Sequence, residues 1–381
     1  MSEYQYYEFQ AIDRPLTAKE MAELRSYSTR ARITPTSFVN DYEWGNFKGD
    51  EDAWMDKYFD AFLYVANWGT RVLKLRLPAR LLNAATARLY CVGEHASSRE
   101  KSQKTILSFV CEDEGGGEWV QGEGQLSSLI CLLSDLARGD LRALYLGWLL
   151  CAQSGDLGDE EVEPPIPAGL AQLSTSLENL VEFLRVDIDL LAAAAAASPS
   201  LTIRESDPAA VRAWLAQLST AEKDEYLARL MAGQDGALAH ELVGRLRRER
   251  EDDRSTAKVA ARRRTVAELL RAGEQAAGER ERLEAEKAAK EKEQRERAAA
   301  RARAKHLDQL AGNEPALWAT VEDLVATRKP KSYDQALELL VDLRDLAARK
   351  DAAEFRRRLA ALRTAHASKP SLVGRLDQAG L

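Results

Sequence analysis

ELVGRLRRERED (241–252), RRRTVAELLRAGEQ (262–275) and ERERLEAEKAAKEKEQRERAAARARAKHL (279–307) decide how this chain is organised. Ala, Glu, Lys, Arg, Gln and Leu, the strongest helix formers, dominate residues 241–310. No proline interrupts them, and glycine occurs only at Gly244, Gly273 and Gly278. One long helix is expected from Glu279 to Lys305. It has no apolar stripe, because Leu283 is its only large apolar residue. A coiled-coil seam needs apolar positions repeated over several heptads, which this segment does not supply. It carries charge pairs four residues apart instead, at Glu286–Lys290, Glu291–Arg295 and Glu293–Arg297. Each such pair contributes a few tenths of a kcal/mol to a solvated helix. An alanine-lined seam along Ala285, Ala288, Ala289, Ala299 and Ala302 is the alternative use of this surface.

Working outward, the rest of the chain divides around that helix. With 381 residues, two or three domains are expected. The net charge of −7 is unevenly placed: −3 over 1–120, −11 over 121–240, +5 over 241–310 and +2 over 311–381. This layout suits a solvated surface, or an acidic middle and a basic helix that meet each other or a partner. The longest apolar run, LRALYLGWLLCA (141–152), is a buried helix by length and too short to span a membrane. The opening MSEYQYYEFQ lacks the pattern of a secretory signal. Four scattered cysteines do not make a disulfide framework. The expectation is a reducing, cytoplasmic setting with no membrane contact.

The first block reads as strand, helix, strand, strand, helix, strand. The strands fall at 4–12, 33–40, 42–47 and 62–66, and the helices at 18–28, opened by the capping box Thr17–Glu20, and 50–58. This is the split βαβ plan of ferredoxin-like folds. A further strand is expected at 72–77, and two more at 88–93 and 105–112 flank a polar segment at 94–104. Helices at 126–136 and 141–153 then cover the sheet. DLGDEEVEPPIP (156–167) reads as an acidic, proline-rich boundary. Beyond it a helix is expected over 177–197. Shorter capped helices follow, one begun by Asp207-Pro208 and one by the capping box Ser219–Glu222. The tail alternates apolar helices: Trp318 to Val325, then 333–349 behind a capping box of Ser332 and Gln335, then a helix carrying Phe355, Leu359 and Leu362. The predicted organisation is an α+β head over 1–156, a linker over 157–169, a helical bundle over 170–240, the charged helix over 241–310, and a C-terminal helical hairpin module over 311–381.

Motifs that carry chemistry are largely absent from the sequence. Cys91, Cys111, Cys131 and Cys151 are evenly spaced, whereas zinc ligands come in close pairs. Cys91 with His95 is the one close Cys/His pair, and a structural role is expected for it. No phosphate-loop, nucleophile-elbow, dinucleotide or zinc-protease motif occurs. EDEGGGEWVQGEG (112–124) lacks the spacing of a calcium loop. No metal or cofactor is expected. Asp13, Arg14, Asn40, Asp41, Asn67 and Arg71 lie beside predicted strand ends, where loop-borne sites occur, and form the candidate polar site. Tyr4, Tyr6, Tyr42 and Trp44 are candidates for stacking RNA bases on the sheet, but core packing is favoured because the block is mildly acidic. The candidate nucleic-acid contacts are Arg262, Arg263, Arg264, Lys287, Lys290, Arg301 and Arg303.

EYQYYEFQAIDRPLT (3–17), ITPTSFVNDYEWGNFKGD (33–50) and FLYVANWGTR (62–71) together resemble an uncharacterised bacterial protein family. That resemblance implies no stated activity. SYDQALELLVDLRDLA (332–347) and HASKPSLVGRLDQAGL (366–381) resemble the helical tail of some bacterial SWIM zinc-finger proteins. This resemblance implies company with proteins that bind nucleic acid or protein. The zinc motif of that family is missing, so no metal function follows. Three functions remain, in order: a non-enzymatic interaction or scaffold protein, a nucleic-acid accessory protein using the basic helix, and an enzyme of unknown class in the head.

Overall fold

A computed structural model describes residues 4–112, 121–200, 208–232, 238, 241–242, 245–246, 263–350 and 352–381. Its first elements are β1 (Gln5–Gln10), α1 (Ala18–Arg25), β2 (Arg32–Thr34), β3 (Ser37–Tyr42), α2 (Glu51–Lys57) and β4 (Ala61–Ala66). These four strands lie in the order β4-β1-β3-β2, every neighbour antiparallel. With a helix between β1 and β2 and another between β3 and β4, this is the ferredoxin-like plan. Both helices cover one face, where Leu24, Trp54 and Met55 pack on Tyr7, Phe9, Phe38 and Phe62. The Thr17–Glu20 capping box that starts α1 is formed in both directions.

Three more strands extend the sheet beyond β4. β5 (Arg71–Pro78) pairs with β7 (Lys104–Cys111), and β7 with β6 (Ala96–Lys101), giving β2-β3-β1-β4-β5-β7-β6. Between β5 and β6 lies α3 (Ala84–Arg88). The second face carries Leu63 and Val65 of β4, Leu73 and Leu75 of β5, and Leu107 and Phe109 of β7. It is covered by α4 (Gln125–Leu129), α5 (Cys131–Ala137), α6 (Arg142–Ser154), α7 (Thr175–Leu184) and α8 (Ile188–Ala197). Gly147 lets α6 approach closely, since a Cβ there would sit 2.4 Å from Phe109 Cε1. The same cluster continues to Val266 and Leu269 at the start of the long helix, so the breaks placed at 156 and 169 fall inside it.

Several elements differ from the sequence expectation, each for a local reason. No strand forms over 43–47, since β3 ends at Tyr42, and the one strand expected at 33–40 is instead the hairpin of β2 and β3, joined by the two-residue loop Pro35–Thr36. Proline has no N–H to give a ladder, so the chain turns there. The segment expected as a strand at 88–93 instead follows α3, whose cap Asn83 accepts from Thr86 N at 2.8 Å. β6 lies in the polar stretch read as a loop. Its hairpin turns through Ser102 (φ 50°) and Gln103 (φ 59°), left-handed positions filled without glycine. The helix expected at 177–197 is two, broken at Arg185 (φ 52°). Asp187 then caps α8, accepting from Asp189 N and Leu190 N.

α9 (Pro208–Gln217) and α10 (Thr220–Ala232) follow, the latter opened by the expected Ser219–Glu222 capping box. Asp207, expected to cap α9, lies outside the described residues. The long helix spans Val266–Leu310, further in both directions than 279–305. Thr265 and Glu268 cap its start reciprocally. The tail holds four helices rather than a hairpin: Glu314–Ala326, Pro330–Ala347, Ala352–Ala365 and Pro370–Gln378. Trp318, Val321, Leu340, Leu343, Phe355, Leu359, Leu372 and Leu376 form their common core. The capping box expected at Ser332 is absent. The helix begins at Pro330, which suits a first turn because its missing N–H needs no partner there. The chain divides into two compact units, Met1–Arg280 and Glu281–Leu381.

No helix of the described residues is long and apolar enough to cross a membrane.

Candidate functional site

The six candidate polar residues split between the two ends of the sheet. Register places Asp41 opposite Tyr6 and Arg71 opposite Val65 and Cys111, with Asn67 just beyond β4, all where β1 begins. Asp13 and Arg14 follow the other end of β1, about 17–20 Å away along six residues of strand. Most have structural partners. Asn67 Oδ1 accepts from Tyr4 N at 3.0 Å, closing the start of β1. Arg71 donates to the carbonyls of Glu182 and Phe183, both at 3.1 Å, and so satisfies the end of α7. Buried Asn40 donates to Ser28 Oγ at 3.2 Å. Arg14 pairs with Glu20 at 2.6 Å, and with Thr17 it holds that carboxyl down to about 2. Asp41 is exposed.

The aromatic platform does not assemble either. Tyr6 is buried, with its ring under Gly122 and its hydroxyl on Glu8 at 3.0 Å. Tyr42 packs edge-on against Tyr7, and Tyr4 is half-buried. Trp44 alone of the four is largely open, 69% exposed, with the Arg30 guanidinium 5.4 Å from its ring.

A buried ion pair lies at the Asp13 end. Asp60 and Arg76 are both buried and bonded through Oδ1 at 3.0 and 2.5 Å. Asp60 Oδ2 takes the N–H groups of Ile12 and Asp13 at 2.7 and 2.9 Å. Arg76 also donates to the carbonyls of Met55 and Asp56. Burial and then the Asp60 charge raise the Asp13 carboxyl above its ordinary range. Burial and then Arg76 lower the Lys104 ammonium. An acid that releases its proton less readily than usual and an amine that gives one up more readily thus flank a satisfied ion pair. Such a pair can exchange a proton with a ligand, but Asp13 itself is open to solvent.

His95 pairs not with Cys91 but with Asp156, Nδ1 to Oδ1 at 2.8 Å, and its backbone N–H adds a bond of 2.9 Å. Burial works against the Asp156 charge, yet these two bonds hold the carboxyl below its ordinary value. Burial pushes the Cys91 and Cys151 thiols up to about 12, the reverse of what a nucleophile needs. Among the described residues, no group of three or more His, Cys, Asp or Glu side chains is placed to hold a metal ion.

The basic candidates also divide. Arg262 lies outside the described residues. Arg264 grips Glu163 with two bonds of 2.9 Å and donates to Ala193 O. Glu163 is 1% exposed and also accepts from the Tyr145 hydroxyl. Arg303 holds Asp342 and Asp345, beside His306 on Asp342 at 2.9 Å. Arg263, Lys287, Lys290 and Arg301 are exposed. Every residue from 281 to 302 is exposed, Leu283 included. Of the expected pairs along it, Glu293–Arg297 closes at 2.6 Å, and two pairs that were not expected, Arg282–Glu286 and Lys292–Glu296, stand at 4.0 Å.

Asp60, Arg76, Asp156 and Glu163 escaped the sequence reading. Arg76 had one visible signal, its place with Lys74 on the face of the strand opposite Leu73, Leu75 and Leu77. Glu163 had none, being one acid among four in DEEVE (159–163). Comparison of the chain with protein-family models, with curated proteins and with solved structures finds no match.

Proposed function

We propose that the chain is a non-catalytic interaction or scaffold protein that presents a solvated helical arm and a helical tail module to a protein partner. The observation that carries this reading is the uniformly exposed run from 281 to 302. Both flanks of the run are fixed: Arg280 binds Asp189 through two bonds of 2.9 Å, and Arg303 binds Asp342 and Asp345. A helix without a packed face draws little stability from burial, so its end anchors and ion pairs maintain it. The candidate polar residues support the same reading, since four of the six are engaged in backbone or side-chain bonds that hold the fold. The test is partner capture by the whole chain and by a chain lacking 311–381. Capture is expected to be lost in the second; equal capture by both would overturn the reading.

A second reading, a nucleic-acid accessory protein, draws on the exposed Lys287, Lys290 and Arg301. It expects binding that falls steeply with added salt. No gel shift at low salt would remove it.

A further inference from the structure

The tail contains a cationic patch that its own fold leaves unanswered. In residues 311–381, Arg344, Arg349, Lys350, Arg357, Arg358, Arg363 and Arg375 each lie within 4.0 Å of a carboxylate. Arg328, Lys329 and Lys331 are exposed and have no such partner among the described residues. Arg328 and Lys329 lie in the connection between the helices Glu314–Ala326 and Pro330–Ala347, and Lys331 in the first turn of the second. A second connection, 366–369, lies against this one, because Lys369 Nζ donates to Val325 O at 3.1 Å. It adds His366, which feels Lys369 and Glu322. Glu322 and Asp323 stand more than a turn back in the preceding helix.

The placement works against the fold. Lys329 is the residue before the helix, its side chain makes no capping bond, and no acidic residue occupies the first turn. Cations at a helix start are repelled by the backbone dipole, where an acid would be favoured. Local choices that oppose the fold tend to mark places used for something else. The surroundings say what kind of partner this surface fits. Thr327 and Ser368 are hydroxyl neighbours in the two connections, Ser332 follows Lys331 in the helix, and among the described residues no exposed aromatic or large apolar side chain accompanies them. A protein-binding patch is built around an apolar or aromatic anchor. Cations and hydroxyls without one match the contacts that proteins make to the sugar-phosphate backbone.

We infer that Arg328, Lys329 and Lys331 form a contact surface for the phosphate backbone of a nucleic acid, bound without regard to sequence. The surface is independent of the exposed arm and does not rest on the capture of a protein partner.

The test uses the full chain, a fluorescent DNA duplex of mixed sequence, and anisotropy at 50 to 200 mM salt. Three phosphate contacts give a log–log salt slope of about −2.7, or about a 40-fold loss of affinity over that range. The combined variant Arg328→Gln, Lys329→Gln and Lys331→Gln should remove that share of the slope while melting no earlier than wild type. A variant with Lys287→Gln and Lys290→Gln should keep it. Absence of duplex binding at 50 mM salt overturns the inference, as does a triple variant with unchanged affinity and slope. So does capture of a labelled poly-glutamate peptide by the same three residues without any capture of the duplex. Because protein-partner capture is read in a separate assay, failure here leaves the scaffold reading standing or falling on its own.

Discussion

Replacing Glu163 by alanine should loosen the ground on which the long helix begins. Three groups converge on that carboxylate: the Tyr145 hydroxyl and the Nε and Nη2 atoms of Arg264. The backbone adds Glu163 N to Arg264 O and Val266 N to Glu161 O, both at 2.9 Å. Removing one member of a buried ion pair costs about 3–5 kcal/mol, because the other charge is left without a partner. The Arg264 side chain retains 24% exposure, so water reaches it and the lower end, about 3 kcal/mol, is expected. At about 1.4 kcal/mol per tenfold, this is roughly a hundredfold fall in amide protection. Hydrogen exchange read by mass spectrometry on peptides from α6, α8 and 264–275 places the effect where it should occur. Glu163→Gln keeps the shape and an acceptor but loses the charge, and should cost about 1.5–3 kcal/mol. The combination Glu163→Leu, Arg264→Leu and Tyr145→Phe leaves no charge unpaired, giving up only the Arg264 bond to Ala193 O, and should recover most of the loss. A combined variant no better than Glu163→Ala would refute the reasoning, since the cost would then come from packing rather than from a stranded charge.

Three further predictions are more local. Glu20 has its carboxyl depressed to about 2, so its contribution to the start of α1 is present above the ordinary glutamate range of about 4.3 and is lost as pH falls through about 2. A carboxyl titration of Glu20 by NMR with a midpoint near 4 would contradict the Arg14–Glu20–Thr17 assignment. Cys131 is exposed while Cys91, Cys111 and Cys151 are buried, so one thiol should alkylate quickly at pH 8 and three only on unfolding; fast modification of Cys151 would show that α6 is not packed as described. Gly147→Ala should destabilise the head by about 1–3 kcal/mol in denaturant melts, since its methyl would overlap the Phe109 ring; an unchanged midpoint would mean that the helix stands further from the sheet.

What the sequence made legible, and what it hid, follows a physical line. Elements signalled by several agreeing local features were readable. Thr17–Glu20 marks a helix start through two reciprocal bonds, and the strand runs around Phe9, Phe62 and Leu73–Leu77 carry a period that survives folding. Elements decided by one tertiary contact were not. Nothing near Arg185 breaks a helix by composition; the break goes with Arg71, distant in sequence, which takes up the carbonyls of Glu182 and Phe183. Ser102 and Gln103 adopt left-handed conformations that glycine or asparagine usually signals, so β6 was hidden. The candidate site suffered in the same way. Polar residues beside strand ends are as useful for satisfying backbone groups as for binding ligands, and Asn67 and Arg71 do the former. Arg264 and Arg303 looked like surface cations because the carboxylates that hold them, Glu163 and Asp342, lie 101 and 39 residues away.

The account rests on the arm being one continuous helix although none of its faces is buried. Spin labels at Glu281→Cys and Ala302→Cys, in a Cys131→Ser background, measure this directly by double electron–electron resonance. A helix rising about 1.5 Å per residue sets the two Cα atoms about 32 Å apart, and a single narrow distance distribution is predicted. A broad distribution tens of ångströms wide, as an unwound chain gives, would contradict the account.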